Sequence, residues 1–246
     1  MTKPIYAISD IHGRHTELLR VLALIEADGG HDAEIVFIGD YVDRGPASAA
    51  VLDTLIAGLA AGKNWHCLQG NHDRMFSWFM QDYPVHDAYL LVDLYWLHER
   101  IGGNTTLASY GVEIAPTDRQ TEIHARAKAA VPQSHVDLLR DLPLSYQTGD
   151  LFFAHAGIRP GVALSAQSEH DLLWIRKEFH IDTRDHGKLV VHGHTPVDAA
   201  KHYGNRINID TGAGYGKPLT AIAIEGRTCW QLTKEGRIQL PAADQG

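Results

Sequence analysis

The sequence has few cysteines, no long apolar run and no excess of positive charge. Only two of its 246 residues are cysteine, Cys67 and Cys229, and their separation does not match a paired metal-binding motif. We therefore expect free thiols in a reducing compartment. No apolar run approaches the ~18 residues of a membrane-spanning helix, and the first four residues lead directly into a strand-like run without room for a signal peptide. These absences predict a cytoplasmic protein that does not associate with a membrane.

The charge balance argues against a further class of partner. Asp and Glu number 30, against 22 Lys and Arg, and the formal net charge is -8. Such a surface disfavours a polyanion, so we predict no nucleic-acid partner. The hydrophobic content of 44% and the charged content of 21% are typical of a globular protein. Because no linker or low-complexity stretch interrupts the chain, we predict one domain over residues 1–246.

The first seventy residues alternate between strand-like and helix-like patterns. Apolar runs at Ile5–Ile8, Ile35–Ile38 and Trp65–Leu68 predict strands, and Thr16–Ile25 and Pro46–Ala61 predict the helices between them. This β-α-β-α-β order implies a parallel sheet with right-handed crossovers. The sequence therefore predicts an α/β fold.

The remainder of the chain has a different pattern. From Met75 to about Gln147 the sequence is predicted to be mostly helical, which we interpret as a helical insertion at about 75–147. Five later strands with short connections predict a second, mixed or antiparallel sheet packed on the first. They are Leu151–Ala154, Leu189–His192, Ile207–Asp210, Leu219–Ile224 and Thr228–Leu232.

Polar clusters follow the predicted strands. Asp10–Gly13, Gly39–Gly45 and Gly70–Asp73 come after the first three strands, about thirty residues apart, and the glycine-flanked His155 and His194 come later. The carboxyl ends of parallel strands meet at one edge of a sheet, so we expect these clusters to lie together. Their Asp, His and Asn side chains supply the oxygen and nitrogen ligands that divalent first-row metals prefer.

The spacing of these side chains predicts two metal ions. Asp10 and His12 are placed to bind one ion, and Asp40 is placed to bridge both. The second ion would be completed by Asn71, His155 and His194. Two such ions bind phosphoryl oxygens and lower the pKa of a bridging water. We therefore predict a two-metal phosphoesterase loaded with manganese, with iron or zinc as alternatives.

Three neighbouring residues are predicted to complete the chemistry. His72 directly follows a ligand without being one, so we assign it as the general acid that protonates the leaving oxygen. Asp43 would accept a hydrogen bond from His72 and fix its tautomer. Arg44 presents a planar fork that matches two phosphate oxygens.

Two further features are not assigned to the site. Gly212–Gly216 is rich in glycine, but a phosphate-binding loop of the dinucleotide type must lead into a helix, and this one leads into a strand. We interpret it as a turn that brings Tyr215 near the site. His192 is two residues from His194, and we expect it to point to the opposite face of an extended segment, so it is not assigned to the site.

The motifs resemble those of calcineurin-like metallophosphoesterases of the phosphoprotein phosphatase type, whose blocks run GDxHG, GDxVDRG, GNHE, HAG or HGG, and a late histidine. Two positions differ mildly, because Ser9 replaces the usual glycine and Asp73 the usual glutamate. The resemblance covers about residues 5–225 and implies two mixed β-sheets packed as a sandwich and flanked by helices. It also implies that Arg176, in a W-x-R segment, is a second phosphate-binding arginine.

Within that family the resemblance favours bacterial and phage serine/threonine protein phosphatases. They carry W-x-R, G-H-T-P and I-D-T-G-A segments, found here at Trp174–Arg176, Gly193–Pro196 and Ile209–Ala213. The resemblance therefore implies a phosphorylated protein or peptide as substrate. The alternative is a symmetrical bis(5'-nucleosyl)-tetraphosphatase acting on dinucleoside polyphosphates, which shares the His-Ala-Gly-Ile form of His155–Ile158. A third hypothesis, a binding module without catalysis, is disfavoured because every expected position is filled.

Overall fold

The computed structural model describes residues 3–243, so residues 1, 2 and 244–246 of the predicted domain lie outside the described part. None of the helices within it has the length and apolarity needed to cross a membrane. The elements are, in chain order, β1 (Ile5–Ile8), α1 (His15–Gly29), β2 (Glu34–Phe37), α2 (Ser48–Ala60), β3 (Trp65–Cys67), α3 (Asn71–Phe79), α4 (Gly103–Ser109), α5 (Gln120–Ala130), α6 (Gln133–Asp141), β4 (Ser145–Thr148), β5 (Leu151–Ala154), α7 (Glu169–Trp174), α8 (Lys177–His180), β6 (Leu189–His192), β7 (Lys201–His202), β8 (Arg206–Asn208), β9 (Ala221–Glu225), β10 (Thr228–Thr233) and β11 (Gly236–Leu240).

The first sheet has the strand order β11-β10-β9-β1-β2-β3. Strands β1, β2 and β3 are parallel, as predicted from the β-α-β-α-β pattern, and β9 pairs antiparallel with β1. The side chains of Tyr6, Ala7 and Ile8 are all fully buried, so strand β1 is covered on both faces. Continuous apolar runs are typical of such central strands, whereas half-exposed strands alternate.

The second sheet has the order β4-β5-β6-β8-β7. Its central strands β5, β6 and β8 are parallel, and β4 and β7 pair antiparallel at the two edges. The prediction that all five late strands form this sheet is wrong, because β9 and β10 belong to the first sheet. The periodicity of a strand indicates which of its faces are buried but not which strand it pairs with. Here the apolar strand β9 pairs with the edge of β1, which would otherwise be an unpaired edge.

The two sheets pack face to face, with helices on their outer faces. Ala7, Ile38 and Leu68 from the first sheet share one core with Phe153 and Val191 from the second. A larger core lies between the first sheet and helices α1 to α6, and a smaller one lies between the second sheet and helices α7 and α8. This arrangement confirms the predicted sandwich of two mixed sheets flanked by helices.

The region predicted as a helical insertion at about 75–147 is only partly helical. Helix α3 ends at Phe79, residues 80–102 contain no helix or strand, and β4 begins at Ser145. Pro84 lacks the backbone N–H that a helix interior needs, and the Asp87 side chain accepts the N–H of Tyr89 at 3.0 Å. These local features disfavour a helix, and we refer to this stretch as the 80–102 segment.

Candidate active site

The predicted site residues other than Arg176, which lies between helices α7 and α8, are found where the parallel strands of both sheets end. They follow β1, β2 and β3 in the first sheet and β5 and β6 in the second. Seven non-glycine residues among those described have a positive φ, and six of them are predicted site residues: Asp10, His12, Asp40, Asp43, Arg44 and His194. Left-handed backbone is disfavoured for side chains with a Cβ, and such strain accumulates at functional sites. The fold therefore holds these side chains in place at a cost in backbone energy.

Asp40, Asn71, His155 and His194 converge on one point. The Nδ1–H of His155 donates to the carbonyl of Ile38 at 2.9 Å, so its Nε2 carries a lone pair. That Nε2 lies 2.9 Å from Asn71 Oδ1 and 3.4 Å from Asp40 Oδ1, both acceptors. The ligand atoms of Asp40, His155 and His194 all lie within 4.8 Å of one another. Hydrogen-bond acceptors this close together repel one another, so the group is suited to binding a cation between its members.

A second group lies around His12. Its Nδ1–H donates to the carbonyl of Val42 at 2.8 Å, and its Nε2 lies 3.4 Å from Asp40 Oδ2. Side-chain N and O atoms of His12, Asp40 and His72 lie within 4.8 Å of one another, so His72, predicted as the general acid, lies beside these two predicted ligands. Asp40 thus belongs to both groups, which is the position predicted for a bridging carboxylate.

Asp10 lies in the same buried site. Both of its carboxylate oxygens lie 3.1 Å from the backbone N–H of His194, and Oδ2 also accepts a hydrogen bond from the Ser9 hydroxyl. The loop after β1 is thereby joined to the loop after β6. All six residues predicted as metal ligands are brought together, and their role as ligands stays a prediction.

Asp210 is a third buried carboxylate that the sequence analysis did not assign. It follows β8, and its negative charge raises the pKa of Asp10, second only to the effect of burial. Burial also raises the pKa of Asp40 to about 7. Asp210 could have been recognised in the sequence from the Ile209–Ala213 segment, which follows the apolar residues of β8. The three buried carboxylates, Asp10, Asp40 and Asp210, are close enough to repel one another, and divalent cations would offset that repulsion.

His72 is held by the carboxylate of Asp43. Its Nδ1 lies 2.7 Å from Asp43 Oδ2, as the sequence analysis predicted. The other contacts of Asp43 were not predicted: Trp96 Nε1 donates to it at 3.0 Å and Thr106 Oγ1 at 2.7 Å. Burial, and then the Arg44 guanidinium, lower the pKa of His72 well below its usual range.

Arg44 and Arg176 open onto the same cavity. Arg44 Nη1 lies 2.8 Å from His12 Nε2 and its Nη2 lies 3.1 Å from His72 Nε2. The ring of Tyr215 stacks on the Arg44 guanidinium, and the ring centroid lies 4.7 Å from Arg44 Cζ. Arg176 is exposed at the cavity edge and reaches Thr195 Oγ1 at 3.5 Å. Two positively charged arginine side chains beside the predicted metal ligands are suited to binding a phosphate.

The cavity has a volume of about 430 Å³ and two kinds of wall. Its polar floor is formed by Asp40, Arg44, Asn71, His72 and His194, and Arg176 lies at its polar edge. The opposite walls are apolar and aromatic, and most of these side chains come from the 80–102 segment and helix α7. The cavity therefore joins a polar region, which contains the two predicted phosphate-binding arginines, to an apolar chamber.

The sequence profile of calcineurin-like phosphoesterases matches residues 3–218 of the chain. The chain belongs to this family. Among its relatives is the asymmetrical bis(5'-nucleosyl)-tetraphosphatase PrpE of Bacillus velezensis, which is 30% identical over 238 residues, or 87% of this chain and 86% of the relative. The phosphoesterase class predicted from the motifs is confirmed.

Solved structures show the same fold at lower identity. A protein assigned as a diadenosine tetraphosphatase superposes with a TM-score of 0.64 at 18% identity, covering 99% of this chain and 96% of that one. A cold-active protein-tyrosine phosphatase of a Shewanella species also gives 0.64, at 17% identity over 98% and 81% of the two chains. Such likenesses establish the fold of a calcineurin-like phosphoesterase and leave the substrate open.

In this phosphoesterase, the residue that departs from the usual glutamate, Asp73, links two loops. The carboxylate of Asp73 accepts the backbone N–H groups of Asp40 at 2.7 Å, Tyr41 at 2.9 Å and Gly70 at 2.9 Å. Aspartate therefore fixes the backbone beside two predicted ligands, Asp40 and Asn71. The substitution keeps the loop after β2 joined to the loop after β3.

Neither feature left out of the site joins it, but the argument from an extended segment is wrong for His192, because residues two apart in a strand share a face. His192 and His194 are separated because β6 ends at His192 and His194 has a left-handed φ. His192 is buried on the other face of its strand, where its Nε2 contacts Arg206 at 3.1 Å. The segment Gly212–Gly216 is a turn with one short helical turn at Ala213–Tyr215, and it places Tyr215 on the cavity. Neither provides a phosphate-binding loop.

Proposed function

We propose that this metallophosphoesterase hydrolyses dinucleoside tetraphosphates asymmetrically, releasing one nucleoside monophosphate and one nucleoside triphosphate. The observation that carries the proposal is the single cavity in which Arg44, Arg176 and the predicted metal ligands face an apolar, aromatic chamber. The named activity of the PrpE relative supports it. This substrate replaces the phosphoprotein expected from the motifs, and it differs from the symmetrical alternative in the phosphate bond that is cut.

The buried donors fit two divalent ions, for which we propose manganese, with iron or zinc as alternatives. Asp10, His12 and Asp40 would hold one ion, and Asp40, Asn71, His155 and His194 the other. When bound, the ions supply positive charge to the phosphoryl oxygens and lower the pKa of water. Arg44 and Arg176 bind the remaining phosphate oxygens, and the fork of Arg44 is already oriented by its contacts with His12 and His72.

His72 is proposed to give a proton to the leaving phosphate oxygen. In the free site Arg44 disfavours the imidazolium, but a bound polyphosphate pairs with Arg44 and brings negative charge beside His72. Asp43 then stabilises the protonated ring through Nδ1. The proton on Nε2 therefore becomes available when substrate fills the site.

The test compares substrates on the manganese-loaded protein. We expect kcat/KM for diadenosine tetraphosphate to exceed that for phosphoserine, phosphothreonine and phosphotyrosine peptides. Separation of the products should give AMP and ATP in equal amounts, whereas symmetrical cleavage gives only ADP. Asp40→Asn, purified in parallel, controls for contaminating phosphatases, and Asp32→Asn, at an exposed position, controls for the substitution itself. A higher kcat/KM for a phosphopeptide would restore the protein phosphatase hypothesis.

A further inference from the structure

One wall of the cavity consists of aromatic rings that lead away from the metal site. The rings of His194 and Trp174 lie 5.8 Å apart, and those of Trp174 and Tyr89 lie 6.4 Å apart. The rings of Tyr89 and His170 are in direct contact, with centroids 3.9 Å apart. All four side chains line the cavity. The wall thus runs from a predicted metal ligand to the rim, and none of the phosphate chemistry uses its outer part.

Tyr89 is fixed at the rim by a buried ion pair. Asp87 Oδ2 lies 2.9 Å from Arg74 Nη2, and both side chains are almost fully buried. The other oxygen of Asp87 accepts the backbone N–H of Tyr89 at 3.0 Å. Tyr89 itself is 52% exposed, a large fraction for a ring that touches two aromatic neighbours. The fold therefore positions an aromatic side chain and leaves much of its surface uncovered.

The charges of the cavity distinguish its two halves. Arg44 lies at the floor and Arg176 at the edge of the polar half, and Asp40 is the one carboxylate among the described residues that line the cavity. Around Tyr89 the lining is formed by Leu90, Leu91 and other uncharged side chains. A ligand that fits both halves is anionic at one end and flat and apolar at the other. The volume of about 430 Å³ lies in the range of about 300–1,000 Å³ typical of small-molecule sites.

We propose that Tyr89 and His170 form a nucleobase-binding subsite, with Trp174 as its inner wall. The base stacks on the ring of Tyr89 while the attached phosphate reaches Arg44 and Arg176. Stacking tolerates any base, because every base has a π-face, so this subsite selects nucleotides over other phosphate esters. The inference rests on the proposed function for the identity of the substrate and adds the residues that recognise it.

The experiment measures the contribution of the base separately from that of the phosphate. AMP and ribose 5-phosphate carry the same sugar phosphate, and only AMP carries a base. Both are tested as inhibitors of p-nitrophenyl phosphate hydrolysis by the manganese-loaded protein. AMP should have a lower inhibition constant than ribose 5-phosphate, and Tyr89→Ala should raise the AMP constant roughly 2- to 10-fold, the value of one aromatic contact. The constant for ribose 5-phosphate should stay within twofold.

Three further variants test whether the aromatic ring is responsible. Tyr89→Phe should retain the preference for AMP, and His170→Ala should weaken it through the second ring. Tyr95→Ala is the matched control, because Tyr95 lies on the same segment, is 49% exposed and does not line the cavity. An equal loss for AMP and ribose 5-phosphate in Tyr89→Ala, or the same loss in Tyr95→Ala, would overturn the subsite. So would equal inhibition by AMP and ribose 5-phosphate in the unmodified protein.

The two proposals fail in different ways. If diadenosine tetraphosphate is not hydrolysed but the preference for AMP depends on Tyr89, the subsite stands and the proposed substrate is wrong. If diadenosine tetraphosphate is hydrolysed and Tyr89→Ala leaves the AMP constant unchanged, the proposed function stands and the subsite is wrong.

Discussion

At the scale of single residues, His72 is acted on by two neighbours in opposite directions. Arg44 contacts its Nε2 at 3.1 Å and favours the neutral ring, while Asp43 contacts its Nδ1 at 2.7 Å and favours the charged ring. Trp96 and Thr106 both donate to Asp43 and hold its carboxylate in place. A negative substrate at Arg44 therefore shifts this balance toward the proton-carrying form.

Replacement of His72 by Asn tests the acid. Because Asn cannot deliver a proton, turnover of diadenosine tetraphosphate or an alkyl phosphate should fall by roughly 10²–10⁴-fold. An activated aryl phosphate has a leaving group that needs less protonation, so its turnover should fall much less. Steady-state kinetics on both substrates, together with metal analysis of the purified variant, provide the measurement. Equal losses on both substrates, or a protein recovered without metal, would contradict the assignment.

The functional residues that can be predicted from a sequence are those that lie in a recognisable local motif. The six predicted ligands, together with His72, Asp43 and Arg44, lie in such motifs and meet in one site. Trp96 and Thr106 lie 53 and 63 positions from Asp43, so no local spacing relates them to it. Asp210 was predicted as the last residue of the strand Ile207–Asp210, whereas β8 ends at Asn208, so its place in a loop after a strand was not recognised. Such supporting residues become visible only when the chain is folded.

At the scale of elements, the 80–102 segment connects the cavity wall to Asp43 and Arg44, two of the predicted site residues. Near its start, Asp87 binds the buried Arg74 of helix α3. Further along, Trp96 donates to Asp43, and Gly102 packs so closely on the backbone of Arg44 that a Cβ there would overlap it. A segment without regular structure is thus anchored at both ends, which gives its apolar side chains a fixed place in the cavity.

Replacement of Asp87 by Ala tests the first anchor. The change leaves the buried Arg74 with Glu169 as its remaining ionic partner and frees the N–H of Tyr89, so the 80–102 segment should loosen. Hydrogen exchange should increase in this segment, while the parallel strands keep their protection. Asp82→Ala is the matched control, since that carboxylate is 89% exposed in its ion pair with Lys128. Unchanged exchange in Asp87→Ala would show that the ion pair does not hold the segment.

The elements that could be predicted are those with a clear periodicity of apolar residues and a well-defined length. Strands β1 and β2 and helices α1 and α2 were found within a few residues of their observed bounds. Strands β4, β7 and β11 were missed because they are short or have exposed, polar residues on edge positions. The helical expectation for 80–102 was wrong because its apolar residues line a cavity and a loop core, which need no helical period.

At the scale of the whole molecule, the candidate active site lies across both sheets. Loops after β1 and β2 supply Asp10, His12 and Asp40, and loops after β5 and β6 supply His155 and His194. Between the sheets the contacts are apolar side chains, whereas at this edge they are mutually repelling carboxylates and facing imidazoles. Ions bound here would offset this repulsion and add to the hydrogen bonds that already join the two sheets at this edge.

Metal loading should therefore stabilise the entire fold. An ion at a hundred times its Kd stabilises by about 2.7 kcal/mol, and 1 kcal/mol raises the Tm of a domain of this size by about 2–4 °C. Thermal unfolding after chelation and after return of manganese should thus differ by roughly 5–10 °C for each such ion, with activity lost and recovered in parallel. Asp40→Asn removes the shared carboxylate and should lose most of the shift, whereas the exposed Asp32→Asn should keep it. A Tm that does not respond to manganese in the unmodified protein would mean that the buried carboxylates are held by protons and protein contacts alone, and the two-metal assignment would be wrong.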